Sequence, residues 1–557
     1  MQRSIFRPTD FRAATQFRLL SLVLTIGTVA SAQTQPRIVI NELLASNVTT
    51  NAEIADFNDF SDWIELYNAD TSEADIGGHF MTDARGTPAK WRFPSGTRIP
   101  AGGTLLIWAD GNDDVPGKAY QRPYFPFDPF VTQYYHANFK LDQAGEFLAF
   151  VSPDSVIIDS VSYGLQETDV SYGRQPDGGA AWVYFGEPTP GASNTTPGLT
   201  NLAFAAPPDI SLPGGFYGGS QMVVVTPPSP GVEIRYTLNG SRPTSSSPLY
   251  TTPLLLSTAT VLSSRSFETN KAPSAVVTRT YFIDIGSTLP VIAISTPPPL
   301  LWDPVIGIYD HNFKSREIPI HFEFYGDDRR LGVELDASLS LTGQASLLYP
   351  QKSFTIGADD RFGEDVIEHQ VFPERKLNLF SSLYLRNAGV PDHRSTYFRD
   401  ALLHSLLLNK VDIDCQAYRP AAVFLNTQYW GIYNIRDKID RFYIGSLHNL
   451  NPEDVDLIEY EADITPTVME GNADNYQEFF AYVSQNDLSQ EAPYRTVESW
   501  MDIDEYIHYM IAGIYDDNVF WMDENLRLWR ERKPGARWRW ILHDTDFGFG
   551  MPNWRST

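Results

Sequence analysis

From residue 37 to about residue 194 the chain is a series of short runs in which apolar and polar positions alternate. Examples are Ile38-Val39-Ile40, Trp63-Ile64-Glu65-Leu66-Tyr67 and Thr104-Leu105-Leu106-Ile107-Trp108, set apart by Gly, Pro, Asp and Asn. A period of two puts successive side chains on opposite faces of a strand, and turn residues between such runs predict a β-sandwich. A polar, proline-rich connector follows, and a second β region runs from about 207 to 285. There Val232-Glu233-Ile234-Arg235-Tyr236-Thr237 and Ser247-Pro248-Leu249-Tyr250 read as two strands joined through an Asn239-Gly240 turn. Beyond Leu289 the pattern lengthens. The stretches 398–408 and 503–515 carry the helical period and fit amphipathic helices set between strands, so 289–557 reads as α+β. No repeat of roughly 20 to 50 residues recurs, which removes solenoids and propellers.

The first 32 residues stand outside this pattern. Arg3, Arg7, Arg12 and Arg18 precede an apolar run from Leu19 to Ile26, and Val29-Ala30-Ser31-Ala32 follows. A basic start, a short apolar centre and small residues at the end predict a secretory signal peptide cut after Ala32, and hence a secreted or cell-surface protein. No later segment approaches about 20 continuous apolar residues, so no transmembrane anchor is expected.

At 557 residues and 42% hydrophobic content the chain is too long for one core and too apolar for disorder. Its formal net charge of -27 sets it against nucleic acid and anionic membranes, since each approach to phosphate would meet repulsion. A single cysteine, Cys415, has no intrachain disulfide partner and is expected as a small core residue.

Three stretches resemble known families. Ile40-Asn41-Glu42, Asp62-Trp63-Ile64-Glu65-Leu66-Tyr67-Asn68, Phe147-Leu148 and Pro188-Thr189-Pro190-Gly191-Ala192-Ser193-Asn194 together make 37–195 resemble a bacterial lamin-tail domain. Its acidic stretch, Asp56 to Asp62, lacks the ligand spacing of a dedicated calcium loop and reads as a solvated strand edge. The run Val232 to Tyr250 makes 207–285 look like the accessory β-sandwich at the C-terminus of chitobiases. This module is expected to act as a spacer, with adhesion or carbohydrate contact its other possible roles. In the α+β region, Pro350-Gln351-Lys352-Ser353, Leu385-Arg386-Asn387-Ala388-Gly389, Phe398-Arg399-Asp400-Ala401, Tyr429-Trp430-Gly431-Ile432-Tyr433 and Asp544-Thr545-Asp546-Phe547-Gly548 are similar, in order, to blocks of the spore-coat CotH family. The resemblance implies an atypical protein-kinase-like fold, with ATP and magnesium or manganese as cofactors and an extracellular or envelope protein as phosphate acceptor.

Phosphoryl transfer needs a cation on the phosphates, metal held by hard oxygens and a carboxylate at the acceptor hydroxyl. Lys352, before an alternating run that suits a strand, is the candidate for the phosphates, and Asp400, on the helix after it, for the lysine's partner. The hairpin of 421–425 and 430–438 suits a hinge facing adenine. Asn525, Asp544 and Asp546 supply metal-type oxygens. In the family an aspartate stands five residues before the metal asparagine, but this chain has Phe520 there, which accepts no proton. Asp523 is the candidate substitute and Asp517 a second. The chain stops at Thr557, directly after the metal cluster, so the kinase-like domain is expected to be incomplete at its C-terminus. Three readings stay open: an exported kinase acting on Ser or Thr, a nucleotide-binding pseudokinase, and a non-enzymatic surface or adhesion protein. A carbohydrate-active enzyme lacks a further domain to house its carboxylate pair.

Overall fold

The computed structural model describes residues 37–52, 60–122, 125–304, 306–311, 316–343, 345–389, 392, 396–460, 466–518, 521 and 525–549. Two β-rich units are followed by a unit mixing helices with strands. The candidate leader, most of the acidic stretch Asp56 to Asp62, Phe520 and Asp523 lie outside these residues.

In the first unit, Ile38–Leu44 and Trp63–Asn68 pair antiparallel at the centre of a seven-stranded sheet. A four-stranded sheet built on Phe147–Val151 and Phe80–Thr82 faces it. Between them lie Ile40, Ile64, Leu66, Trp91, Phe93 and Phe150, all close to fully buried. The sheet continues past residue 165 through Ser171–Arg174 and Trp182–Phe185, which pair with each other, the first also with Ile38–Leu44.

The second unit centres on Thr260–Phe267, flanked by Glu233–Thr237 and Val277–Ile283. Here the structure departs from the expected Asn-Gly hairpin. Among the described residues, backbone pairing of 247–250 with Glu233–Thr237 is limited to Tyr236 N–H to Pro248 O, Tyr250 N–H to Ile234 O and a single bridge at Arg235 and Leu249. The prolines at 243 and 248 have no N–H to give a ladder, which accounts for the loss. Gly240 serves instead for close approach: at φ 84°, a Cβ on it would lie 2.7 Å from the Thr296 carbonyl of the third unit. The two β modules are docked on each other and on the third unit. Arg242 pairs with Asp169 of the first unit at 2.6 Å, Arg279 pairs with Glu334 of the third, and Phe216 and Phe282 pack on Tyr325.

The third unit opens with a closed barrel of seven strands: Val291–Ser295, Ile318–Tyr325, Leu331–Thr342, Ser353–Gly357, Ser382–Arg386, Gln428–Asp437 and Tyr418–Leu425. The last closes onto the first in parallel. Phe322, Phe354, Ile356, Leu383, Leu385, Tyr433 and Ile435 fill the interior, so alternate residues such as Ser353, Arg386, Asn434 and Arg436 fall on the outer face. A five-stranded sheet then places Arg539–Leu542 between Asp414–Cys415 and Leu526–Glu531, with Asp474–Gln485, Glu491–Trp500 and Ile503–Asp516 as helices over it. Cys415 is buried there, and burial pushes its thiol up to about 12, out of reach of chemistry. No helix among the described residues is long and apolar enough to cross a membrane.

Candidate functional site

The strand Arg539–Leu542 ends in the loop His543-Asp544-Thr545-Asp546, and this loop is held against the outer face of the barrel. Asp400, in the first turn of the helix Arg399–Leu407, does the holding. Its Oδ1 accepts the Thr545 N–H at 2.8 Å and the Thr545 hydroxyl at 3.1 Å. Its Oδ2 pairs with Arg436 at 2.7 Å. Burial alone would push this carboxyl up, but Arg436 and Arg386 outweigh it and hold it well below the usual carboxylate range. His404, one turn on, faces Asp400 at 3.4 Å. Burial, then the Arg436 charge, pushes His404 down to about 4, so it is neutral at pH 7. Its Nδ1 accepts the Gln416 N–H at 3.0 Å, which assigns the ring proton to Nε2.

Arg386 ends the barrel strand Ser382–Arg386 and reaches both loop carboxylates. Its Nη2 donates to Asp544 Oδ1, and to Asp546 Oδ2 at 2.9 Å. Burial, then the Asp544 charge, pushes the Asp546 carboxyl well above its ordinary value, against the pull of Arg386. Gly389 closes the arrangement: with φ 79°, a Cβ on it would come 1.8 Å from Asp546 Oδ2. Asn387, between them, donates to the Gln351 carbonyl at 2.5 Å and accepts from the Ser353 hydroxyl at 2.9 Å. Gln351 in turn donates to the Ile432 carbonyl at 2.8 Å and accepts the Tyr397 hydroxyl at 3.0 Å. Arg399 donates to the Gly548 carbonyl at 2.8 Å. Five blocks spread over some 200 residues of sequence are thus one continuous hydrogen-bonded cluster.

Lys352 takes a different direction. Its ammonium donates to the Leu347 carbonyl at 2.5 Å and lies 5.4 Å from the Tyr309 ring, which belongs to the barrel core. It therefore points to the mouth of the barrel, beside Trp302, Tyr309 and Trp430, while Asp544 and Asp546 meet the outer face. The carboxylate of Asp400 is engaged by Arg436 and Thr545 on that outer face. Asn525 stands at the head of Leu526–Glu531 in the left-handed conformation, φ 59°. Asp517 is the exposed, left-handed C-cap of the helix Ile503–Asp516.

Arg386, Arg436 and Asp516 are site residues that the sequence reading did not single out. Asp516 is fully buried, and among the described residues neither carboxylate oxygen has a hydrogen-bond partner. Gly548 packs so close that a Cβ on it would lie 1.8 Å from Asp516 Oδ1. Burial, reinforced by Asp400, pushes the Asp516 carboxyl up to about 7. The spacing of Glu505, Tyr509, Ala512 and Asp516 is the buried stripe of the helix, and that spacing was the available signal.

Among the described residues no three His, Cys, Asp or Glu side chains converge into a closed metal cage. Two carboxylates on one loop, joined by a cation, still fit magnesium or manganese, which commonly take one or two carboxylates and complete their shell with phosphate and water.

Residues 339–556 match the CotH kinase protein family, 212–278 the chitobiase/beta-hexosaminidase C-terminal domain, and 31–165 the lamin tail domain. The chain carries these three in the order lamin tail, chitobiase C-terminal, CotH, as two β-sandwich units followed by an α+β unit. The barrel begins at Val291–Ser295, ahead of the CotH match. No curated protein matches the chain. Among solved structures, the crystal structure of murine CEACAM1b aligns at 8% identity over 44% of this chain and 99% of that one, with a TM-score of 0.11, too low to bear on the fold.

Proposed function

We propose that the CotH-matched region, whose family supports a kinase-like function, binds ATP with magnesium or manganese and transfers a phosphoryl group to Ser or Thr hydroxyls of extracellular or envelope proteins. The supporting observation is the convergence of the five blocks on the Asp544-Thr545-Asp546 loop. Asp544 and Asp546 would hold the metal, with Asn525 the remaining candidate oxygen ligand. A bound divalent metal would neutralise charge on the phosphates. Asp400 keeps the loop in place through Thr545, and Arg436 keeps Asp400 ionised. Export of the protein rests on the leader pattern of residues 1–32.

The pseudokinase reading has its own support in Phe520, which leaves the usual position of the base without a proton acceptor. Thermal-shift measurement with ATP and manganese, on the wild type and on Asp544→Asn, addresses binding first. Stabilisation of the wild type that the variant loses is expected; an unshifted wild type sinks both nucleotide readings. Radiolabelled transfer to Ser-rich acceptors, with Phe520→Asp beside the wild type, then separates kinase from pseudokinase. Asp544→Asn is a cleaner probe than Lys352→Ala, because Lys352 is buried in barrel packing.

A further inference from the structure

Arg386 is the group that joins Asp544 to Asp546, the two carboxylates assigned to the metal. The other arginines of the cluster are engaged elsewhere. Arg436 serves Asp400, and Arg399 serves the Gly548 carbonyl and lies 3.8 Å from Asp392. A divalent cation and a guanidinium cannot share the same carboxylate oxygens at contact distance, because their charges repel and each needs those lone pairs. The Asp544 side chain is 39% exposed and that of Arg386 22%, so the pair is in part open to solvent. Lys352 is turned into the barrel mouth, away from the outer face where Arg386 meets Asp544 and Asp546.

Building on the kinase-like reading, we infer that Arg386 competes with the divalent metal for Asp544 and Asp546 and, once displaced, binds the phosphate oxygens of the nucleoside triphosphate. The charges favour such an exchange. Two carboxylates are balanced by the metal alone, which sets one guanidinium free as a polyphosphate arrives. Its planar fork of donors matches phosphate oxygens in pairs. Metal alone must then displace a resident cation, while metal with nucleotide gives that cation a new partner. Arg386 thus couples metal binding to nucleotide binding.

The test measures manganese alone by electron paramagnetic resonance, and a non-hydrolysable ATP analogue at saturating manganese by calorimetry, on the wild type, Arg386→Gln and Arg386→Lys. For Arg386→Gln manganese alone should bind several-fold tighter, while the nucleotide binds about tenfold weaker, as for a lost charge-assisted contact. Loss of structure would weaken both, so the opposite signs identify the exchange. Arg386→Lys, which keeps the charge and so protects the fold, should hold manganese near the wild-type level and weaken the nucleotide. Manganese binding that is unchanged or weaker in Arg386→Gln overturns the inference. A wild type that takes manganese but no nucleotide overturns the kinase-like reading and the phosphate contact with it, whatever the variants show for metal.

Discussion

Thr545 gives both its backbone N–H and its hydroxyl to the carboxylate of Asp400, 145 residues earlier in the chain, at 2.8 and 3.1 Å. This joint ties the loop carrying Asp544 and Asp546 to the helix that covers the barrel, and its strength depends on Asp400 being ionised beside Arg436. Asp400→Asn keeps the shape and removes the charge, leaving a fully buried guanidinium without its closest counter-ion. Removing one member of a buried pair costs about 3–5 kcal/mol. Denaturant unfolding should show a loss of that order, and Thr545→Val, which takes away the hydroxyl but keeps the N–H, a loss of about 1 kcal/mol. Equal stability of Asp400→Asn and the wild type would remove the joint from the account of the site.

Gly389 is required at its position for two reasons that act together. Its φ is 79°, and Asp546 Oδ2 lies 1.8 Å from where a Cβ would stand. Gly389→Ala must therefore strain the backbone, at about 1–2 kcal/mol, and also push the Asp546 carboxylate away from Arg386. The expected result is a modest fall in melting temperature with a disproportionate loss of stabilisation by manganese and ATP. Retention of that stabilisation would show that the loop accommodates the methyl group elsewhere.

In the lamin-tail unit Glu65 is fully buried, with Asn41 donating to one carboxylate oxygen at 2.9 Å and the Gly191 N–H to the other at 2.8 Å. Burial outweighs these bonds, and with Glu42 and Asp177 adding like charge the carboxyl is raised from 4.5 to about 8. The folded protein binds this proton more tightly than the unfolded chain, so the contribution of Glu65 is complete below about pH 4.5 and is lost as pH rises toward about 8. Hydrogen exchange of the adjoining strand Ile38–Leu44 should accelerate across that window, beyond the intrinsic rate. Glu65→Gln keeps an acceptor without a titrating proton and should flatten the dependence. A dependence as steep in the variant as in the wild type would place its origin at another group, Glu42 being the first to examine because its carboxyl is raised too.

Much of this architecture is legible in the sequence. The alternation of Trp63-Ile64-Glu65-Leu66-Tyr67 marked a strand, and the segments on either side of Asn426-Thr427 marked a hairpin that the structure contains as Tyr418–Leu425 and Gln428–Asp437. Partnership was not legible, since a period of two states which side chains share a face and not which distant strand they meet. Closure of the barrel by Val291–Ser295 against Tyr418–Leu425 is of that kind. The order of the five blocks pointed to the site, but the direction of Lys352 needed one further step. Phe354 and Ile356 are core residues of a strand, and continuing the alternation backward puts Lys352 on their side and Ser353, with Arg386 on the neighbouring strand, on the other. Arg386 and Asp516 were recoverable by the same parity and helical-stripe arguments. Gly389's closeness to Asp546 was not, since no local pattern encodes it.

The chitobiase-like module offers a last prediction, because its packing is unlike that of a loose spacer. Phe282 is fully buried in an edge-to-face contact with Tyr325 at 6.0 Å and with Phe424 at 4.9 Å, both strand residues of the barrel, while Phe216 stacks on it at 4.7 Å. Glu323, next to Tyr325 but one, accepts from the Thr280 N–H across the same boundary. A module acting only as a tether would leave the barrel indifferent to Phe282. A docked one shares its core, and Phe282→Ala should cost about 3–5 kcal/mol, felt on both sides of the boundary. Hydrogen exchange in Val291–Ser295 and Ile318–Tyr325 is the readout: faster exchange there, and not only in Val277–Ile283, is the expected outcome. Acceleration confined to the module would return it to the role of a tether. If the barrel loosens, manganese and ATP should stabilise the variant less than the wild type. Arg386 sits on the same closed set of strands, joined to Ile318–Tyr325 through Leu331–Thr342 and Ser353–Gly357.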